Sequence, residues 1–222
     1  MPAEERREQV LKVAGEVFAS KGYRVAAVTD IVEGAGIGRG TFYLYFKSKK
    51  EVFLELIERY FSDFARMLGE NHGRLEEAVR NNSDVIGVWR ENMIRILKYH
   101  RENPDLTSLV YRDALGVDED FSARVDELSR VARKQLLEEF SLLQRHGLIR
   151  PCDLNMVTSI VMGATVYAIM EHVVMKSRRS IEELAGEMLE YHVRALSPAG
   201  AAGEMRLRDV SSAKQKSRGK GA

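Results

Sequence analysis

Cysteine is nearly absent from the chain. Of its 222 residues only Cys152 is a cysteine, so neither an intrachain disulfide nor a cysteine-based metal cluster can form. A long apolar run is missing too. The longest uncharged stretch, 154–170, falls short of the roughly 20 residues a membrane-spanning helix needs, and it carries Asn155, Thr158, Ser159 and Thr165. The opening residues, MPAEERREQV, hold no apolar core of the kind a secretory signal has. With 30% charged and 45% hydrophobic residues, the composition is that of an ordinary globular chain with room for one or two domains. These absences point to a cytoplasmic protein with no membrane partner.

Catalytic patterns are equally scarce. The histidines, His72, His100, His146, His172 and His192, are dispersed, and no HExxH, GxSxG or P-loop pattern occurs. The glycine run GAGIGRG is neither GxGxxG nor GxxxxGK, and no strand pattern precedes it. Glu171-His172 is the one pair suited to proton chemistry, and a core histidine, a ligand contact or an interface contact accounts for it better. The chain therefore reads as a non-enzyme with no catalytic residues, no metal and no cofactor; an all-helical small-molecule enzyme is the remote alternative.

Net charge is only +1, but its distribution is uneven. Residues 1–50 carry a balance of +3, residues 197–222 carry +4, and the stretch between is acidic at −6. A DNA-binding head on an acidic body has this asymmetry, as does a solvated charge mixture.

What is present is helical periodicity. Val10, Val13, Ala14 and Val17 form a stripe on a first helix of about 4–21, stopped by Gly22. Val28, Ile31, Val32 and Ala35 form a second stripe, and Gly34, Gly36, Gly38 and Gly40 then break it and allow backbone angles with φ above zero. Ile37 is placed to plug the turn. A further helix from about Arg39 to Phe46 turns Phe42 and Phe46 inward, so Gly40, Thr41 and Leu44 face away and Tyr43 and Tyr45 lie on the flanks. Such a pair suits the major groove: Arg39 can offer its fork to a guanine edge, Thr41 can bond a base or phosphate, and the tyrosines can reach backbone oxygens. Lys47, Lys49 and Lys50 add positive charge beside the phosphates. An ordinary helical hairpin with closely packed glycines and solvated lysines fits the periodicity equally well.

Gly22-Tyr23, Val28-x-Asp30-Ile31 and AGIGRGTFYLYFKSKKEVF resemble the DNA-binding signature of the TetR family, the tetracycline-repressor-like transcriptional regulators. The likeness covers about the first sixty residues. It implies an all-helical homodimer with an N-terminal helix-turn-helix domain and a C-terminal domain that binds small molecules. On that likeness the recognition helix holds Arg39, Gly40, Thr41, Phe42, Tyr43, Leu44 and Tyr45, and Lys49 stands where the family has a phosphate-binding lysine. Two departures weaken the anchoring. Ala26 and Ala27 stand where the family usually has Thr or Ser, and Gly38 replaces a capping Ser.

Downstream, Ser48 to Glu51 forms a capping box ahead of a helix bearing Val52, Leu56, Tyr60, Phe64 and Met67. Asn71-His72-Gly73 and Asn81-Asn82-Ser83 predict turns around a short helix near Leu75 to Val79. From Asp84, Ile86, Trp89, Met93, Ile96, Leu97 and His100 form a stripe that Asn103-Pro104 stops. Helices follow over Asp105 to Leu115, with a stop at Gly116, and from an Asp118 cap to His146-Gly147. Asp153 caps a helix, 156–174, apolar nearly all round, which needs both faces covered, one by its own domain and one by a second copy of the chain. Ser180 to Glu183 caps a last helix with Ile181, Leu184, Ala185, Met188 and His192 inward.

The reading is an all-α chain of about nine helices: residues 1–48 a helix-turn-helix DNA-binding domain, 49–196 a helical effector-binding and dimerisation domain, and 197–222 a basic, disordered tail. Trp89, Met93, Tyr99, Tyr111, Phe140, Met162, Tyr167 and Met170 are candidate liners of an effector pocket, each equally at home in a plain core. The expected function is a repressor that binds a near-palindromic operator as a dimer through its last two helices and is released by a small apolar or aromatic molecule. A DNA-binding regulator with no such effector is the alternative.

Overall fold

A computed structural model describes residues 2–113, 119–175 and 177–198. All regular structure among them is helical: α1 (Ala3–Lys21), α2 (Val28–Ala35), α3 (Arg39–Tyr45), α4 (Lys49–Arg80), α5 (Val85–Glu102), α6 (Pro104–Asp113), α7 (Glu119–Arg145), α8 (Leu154–Ile169) with a π turn over Met170–Val174, and α9 (Ile181–Leu196). The expected all-α class is thus the one adopted. The Asp118 cap, the Gly116 stop and the tail from residue 199 onward lie outside the described residues.

Helices α1 to α3 form the head. Its core is centred on Val10, Leu11, Ala14 and Phe18, so the stripe expected on α1 is displaced: Val13 and Val17 flank it, half-buried. Aromatic packing explains the shift, because Phe18 meets Tyr23 and Phe53 edge-on at 5.6 and 5.7 Å between ring centres. Of the four glycines after α2's stripe, Gly36 alone among them has positive φ, +62°, and ends the helix in the left-handed conformation. Gly34 serves packing instead. A Cβ there would stand 2.8 Å from Val13 Cγ1, so its absence lets α2 lie close on α1. Ile37 packs from the turn onto the same core.

Three short helices cannot bury enough surface alone, and α4 supplies the remainder. Val52, Phe53, Leu56, Ile57, Tyr60 and Phe61 join the head's core, together with Leu109 and Val110 of α6 and Phe121 of α7. Ion pairs brace the joint from outside: Arg7 grips Glu55, and Arg59 reaches Glu8 at 2.7 Å while also pairing with Glu55. The Arg7 guanidinium also lies 4.9 Å from the Phe46 ring centre, at the end of α3.

The turn expected at Asn71-His72-Gly73 does not exist. Helix α4 runs unbroken for 32 residues, and Asn71 is buried on its inner face. Asn71 Nδ2 donates to the Asn92 carbonyl at 3.3 Å and Asn92 Nδ2 to the Asn71 carbonyl at 2.8 Å, a reciprocal pair that locks α4 to α5. Asparagine's turn preference is overridden by this tertiary pairing. On α5, Ile86 is 36% exposed rather than part of the buried stripe, whose members are Trp89, Asn92, Met93, Leu97 and His100.

Helices α5, α7, α8 and α9 close the body around two further cores, one holding Trp89, Phe140 and Leu189, the other Met93, Ile169 and Ile181. Helix α8 and its π turn form one 21-residue run with a mean hydropathy of 1.5, long and apolar enough to cross a bilayer. The uncharged stretch read from sequence underestimates that length, because the helix continues through Glu171 and His172. One face of the run is packed, with Thr158, Val161, Ala168, Ile169, His172 and Val173 buried. The opposite face leaves Met156, Ile160 and Tyr167 exposed, and Val166, 39% exposed, lies on the flank.

Candidate nucleic-acid interface and interior cavity

Phe42 and Phe46 are fully buried against the head's core, which fixes the rotation of α3. Arg39 and Gly40 consequently face solvent, as do Tyr43 at 47% and Leu44 at 79% exposure. Leu44 is the most exposed large apolar side chain among the described residues. Thr41 and Tyr45 are half-buried, and Tyr45 packs partly onto the core. The Arg39 guanidinium lies 5.9 Å from the Tyr43 ring centre, an i, i+4 pair that holds the two groups side by side. Gly38 begins the helix with no side-chain cap. On α2, the Ala27 N–H donates to Asp30 Oδ2 at 2.8 Å, half a capping box, while the methyl of Ala27 has nothing to return.

The lysines divide differently from expectation. Lys49 Nζ donates to the carbonyls of Tyr23 and Ala26 at 2.7 Å each and lies 4.5 Å from the Tyr23 ring centre. Burial lowers its pKa, with the Asp30 carboxylate opposing that in part. The ammonium thus clamps the α1–α2 loop, which sets it apart from the phosphate contact expected of it. Lys50 pairs with Asp120 at 2.6 Å. Lys47 stands exposed where α3 passes into α4.

In the body a cavity of about 170 Å³ lies between α4, α5, α6, α7 and α8. Trp89, Met93, Tyr111 and Met162 line it, as the sequence suggests. Phe140 does not. It is fully buried behind Trp89, edge-on at 5.9 Å. Tyr167 is not a liner either: it is 62% exposed on the outer face of α8, because one helix cannot turn Met162 and Tyr167, five residues apart, to the same side. Tyr99 and Met170 also lie off the lining; the Tyr99 hydroxyl donates to the Tyr60 carbonyl at 2.6 Å.

Most liners escape the sequence pattern, polar Ser129, Gln135 and Thr165 among them, and three bear most on the chemistry: Asn71, Asn92 and Glu139. Each occupies an inward position of an otherwise apolar stripe, Asn71 between Phe64 and Leu75, Asn92 beside Trp89 and Met93, Glu139 beside Leu136 and Phe140. A polar residue on such a stripe is the signal that could have found them. Glu139's side chain is 12% exposed, and His72 Nδ1 stands 4.0 Å from Oε1, beyond hydrogen-bond distance. Burial pushes the Glu139 carboxyl up from 4.5 to about 8. The Tyr111 hydroxyl is likewise pushed up to about 12 by burial. The Glu171-His172 pair sits in the π turn with His172 buried. Among the described residues no three His, Cys, Asp or Glu side chains are grouped to hold a metal ion.

Comparison with known proteins places these features. The model of "Bacterial regulatory proteins, tetR family" matches residues 10–56, from α1 into α4. The HTH-type transcriptional activator FasR of Mycolicibacterium smegmatis is 33% identical over 93 residues, which span 39% of this chain and 42% of that protein's length. The solved fatty acid degradation regulator FadR from Bacillus halodurans shares the fold at a TM-score of 0.69 and 19% identity, over 85% of this chain and 94% of that one. FadR from Bacillus subtilis, solved in complex with stearoyl-CoA, shares it at 0.59 and 20%, over 84% and 97%. A matched DNA-binding head and a shared all-helical architecture together give the assignment: residues 10–56 form a DNA-binding head of the tetR family of bacterial regulatory proteins, on a chain with the all-helical fold of solved regulators.

Proposed function

We propose that this protein is a ligand-responsive repressor that binds a near-palindromic operator as a dimer and is released by a small molecule held in the body. The observation that carries the reading is the exposed face of α3, where Arg39, Gly40, Tyr43 and Leu44 stand out from a helix pinned by two buried phenylalanines. Arg39 is suited to a guanine edge, Leu44 to a thymine methyl, Thr41 and the tyrosines to phosphate oxygens. Gly40 leaves open space for the duplex to come close. Lys49 contributes by holding the loop ahead of α2, and phosphate contact at the start of α4 falls to Lys47.

On this reading residues 1–48 are the DNA-binding unit and 49–196 the effector-binding and dimerisation unit, acting in the cytoplasm. The outer face of α8, with Met156, Ile160 and Tyr167, pairs with a second copy, and α9, where Tyr191 is exposed, is the second helix of the interface. Covering this face with protein accounts for the apolar 154–174 helix without a bilayer. The interior cavity favours an effector-controlled regulator over one with no small-molecule partner.

Fluorescence anisotropy of the purified protein on the DNA upstream of its own gene, at two salt concentrations and against scrambled competitor, tests the reading. Competitor-resistant binding by two chains per site is the expected result. Binding that competitor abolishes and salt collapses reduces the interaction to its sequence-independent phosphate component.

A further inference from the structure

The charge lining the cavity is one-sided. Residues from α4, α5, α6, α7 and α8 contribute to the wall, and among the described residues that line it none is Lys, Arg or His and Glu139 is the only charged type. Two further oxygens add to the imbalance. The Asn71 and Asn92 amides each spend their nitrogen on the other's carbonyl, and flipping either would set oxygen against oxygen, so both Oδ1 atoms remain buried without a donor. An uncompensated buried acceptor is costly, so the two orphaned Oδ1 atoms and the Glu139 carboxyl, on a described wall that also carries Tyr111, Ser129, Gln135 and Thr165 but no cation, favour an occupant that donates hydrogen bonds.

Size narrows the occupant. The void of about 170 Å³ is close to the roughly 150 Å³ engineered cavity that holds benzene. Trp89, Met93, Tyr111 and Met162 give it apolar and aromatic walls. Resting on the effector reading above, we infer that the cavity takes a small organic cation, an ammonium carried on a single ring or short alkyl body, with the ammonium paired to the Glu139 carboxylate. An acyl thioester such as the one solved with the Bacillus subtilis protein brings phosphates that find no counter-charge on this wall.

Loading is coupled to a proton. Burial raises the Glu139 carboxyl pKa to about 8; as R–NH3+ enters, the O–H bond of the acid form breaks, the proton leaves to solvent and the carboxylate pairs with the ammonium. From α4 the titratable group facing Glu139 is His72, itself 3.5 Å from Glu76. From α6 it is Tyr111, and the liners from α5 and α8 include none.

Trp89 is the chain's only tryptophan and stands in the wall, so its fluorescence reads occupancy directly. The full chain is titrated with 2-phenylethylamine, with 2-phenylethanol and phenylacetate as neutral and anionic counterparts of matched shape, and with stearoyl-CoA. The amine is expected to bind about tenfold more tightly than the alcohol, and phenylacetate more weakly than either. Glu139→Gln brings the amine down to the alcohol's affinity, with the helical circular-dichroism signal retained. Calorimetry in two buffers of different ionisation enthalpy registers the released proton. Equal binding of amine and alcohol, or an amine affinity indifferent to Glu139→Gln, overturns the inference. Binding of stearoyl-CoA or phenylacetate without the amine also overturns it, yet leaves the effector reading standing; silence from all four ligands, beside intact operator binding, overturns both.

Discussion

Tyr43, near the end of α3, and Lys49, at the start of α4, lie close along the chain and face opposite fates. Tyr43 is held outward beside Arg39, so Tyr43→Ala is expected to weaken operator binding at least tenfold in the anisotropy assay, about 1.4 kcal/mol, while the dimer persists. Lys49 is turned inward onto two carbonyls. Lys49→Met should lower stability by about 1–2 kcal/mol, read by urea denaturation, and should change the salt slope of DNA binding by less than the roughly 0.9 that one phosphate contact contributes. A full-unit change in slope with unchanged stability would return Lys49 to the phosphates. Glu139 makes the third residue-scale prediction. Its folded-state pKa of about 8 lies above its ordinary 4.5, so the folded chain holds a proton that the unfolded chain gives up. The stability tied to this carboxyl is full below pH 4.5, falls as pH rises, and is lost once pH passes 8. Glu139→Gln should flatten that part of the melting-temperature profile, as followed by circular dichroism between pH 5 and 8.

At the scale of helices, periodicity made most elements legible. The ends of α2, α5 and α9 follow from Gly36, Asn103-Pro104 and the Ser180 cap because these signals act within a few residues. What escaped depends on partners distant in sequence. The continuity of α4 rests on an Asn71–Asn92 pairing across 21 residues, and the displaced stripe on α1 rests on Phe53, which lies on another helix. The π turn at Met170–Val174 has no local signature at all. The cavity was half legible for the same reason: large apolar liners announce themselves by type, whereas Glu139 is recognised as a site residue only once its wall is assembled. Gly34 illustrates a glycine read for the wrong purpose. Gly34→Ala gains about 1 kcal/mol of helix propensity but drives a methyl to 2.8 Å from Val13 Cγ1, an overpacking cost of about 1–3 kcal/mol. A net loss near 1 kcal/mol is expected in denaturant unfolding, and Val13→Ala in the same chain should recover most of it.

For the molecule as a whole, the proposed assembly rests on the uncovered face of α8. Ile160 is 51% exposed there, between Met156 and Tyr167. Ile160→Glu would place a carboxylate at the centre of the proposed dimer surface, and size-exclusion chromatography with light scattering should then report a monomer with undiminished helix content. A dimer that survives the change would move the interface elsewhere. The long α4 has a further consequence, one of angles. Its cavity-lining residue Asn71 sits 22 residues beyond Lys49, a lever arm of about 33 Å at helical rise. The Arg7–Glu55 and Arg59–Glu8 ties and a shared core join the head to that arm. Pivoting α4 by about 6° at the cavity swings the head by roughly 3.5 Å, and in a two-fold pair the two swings add to about 7 Å against a groove-to-groove repeat of about 34 Å. On the proposed release by an effector, a void widened by little more than an ångström at its wall would be geared into a misfit of that size on the operator.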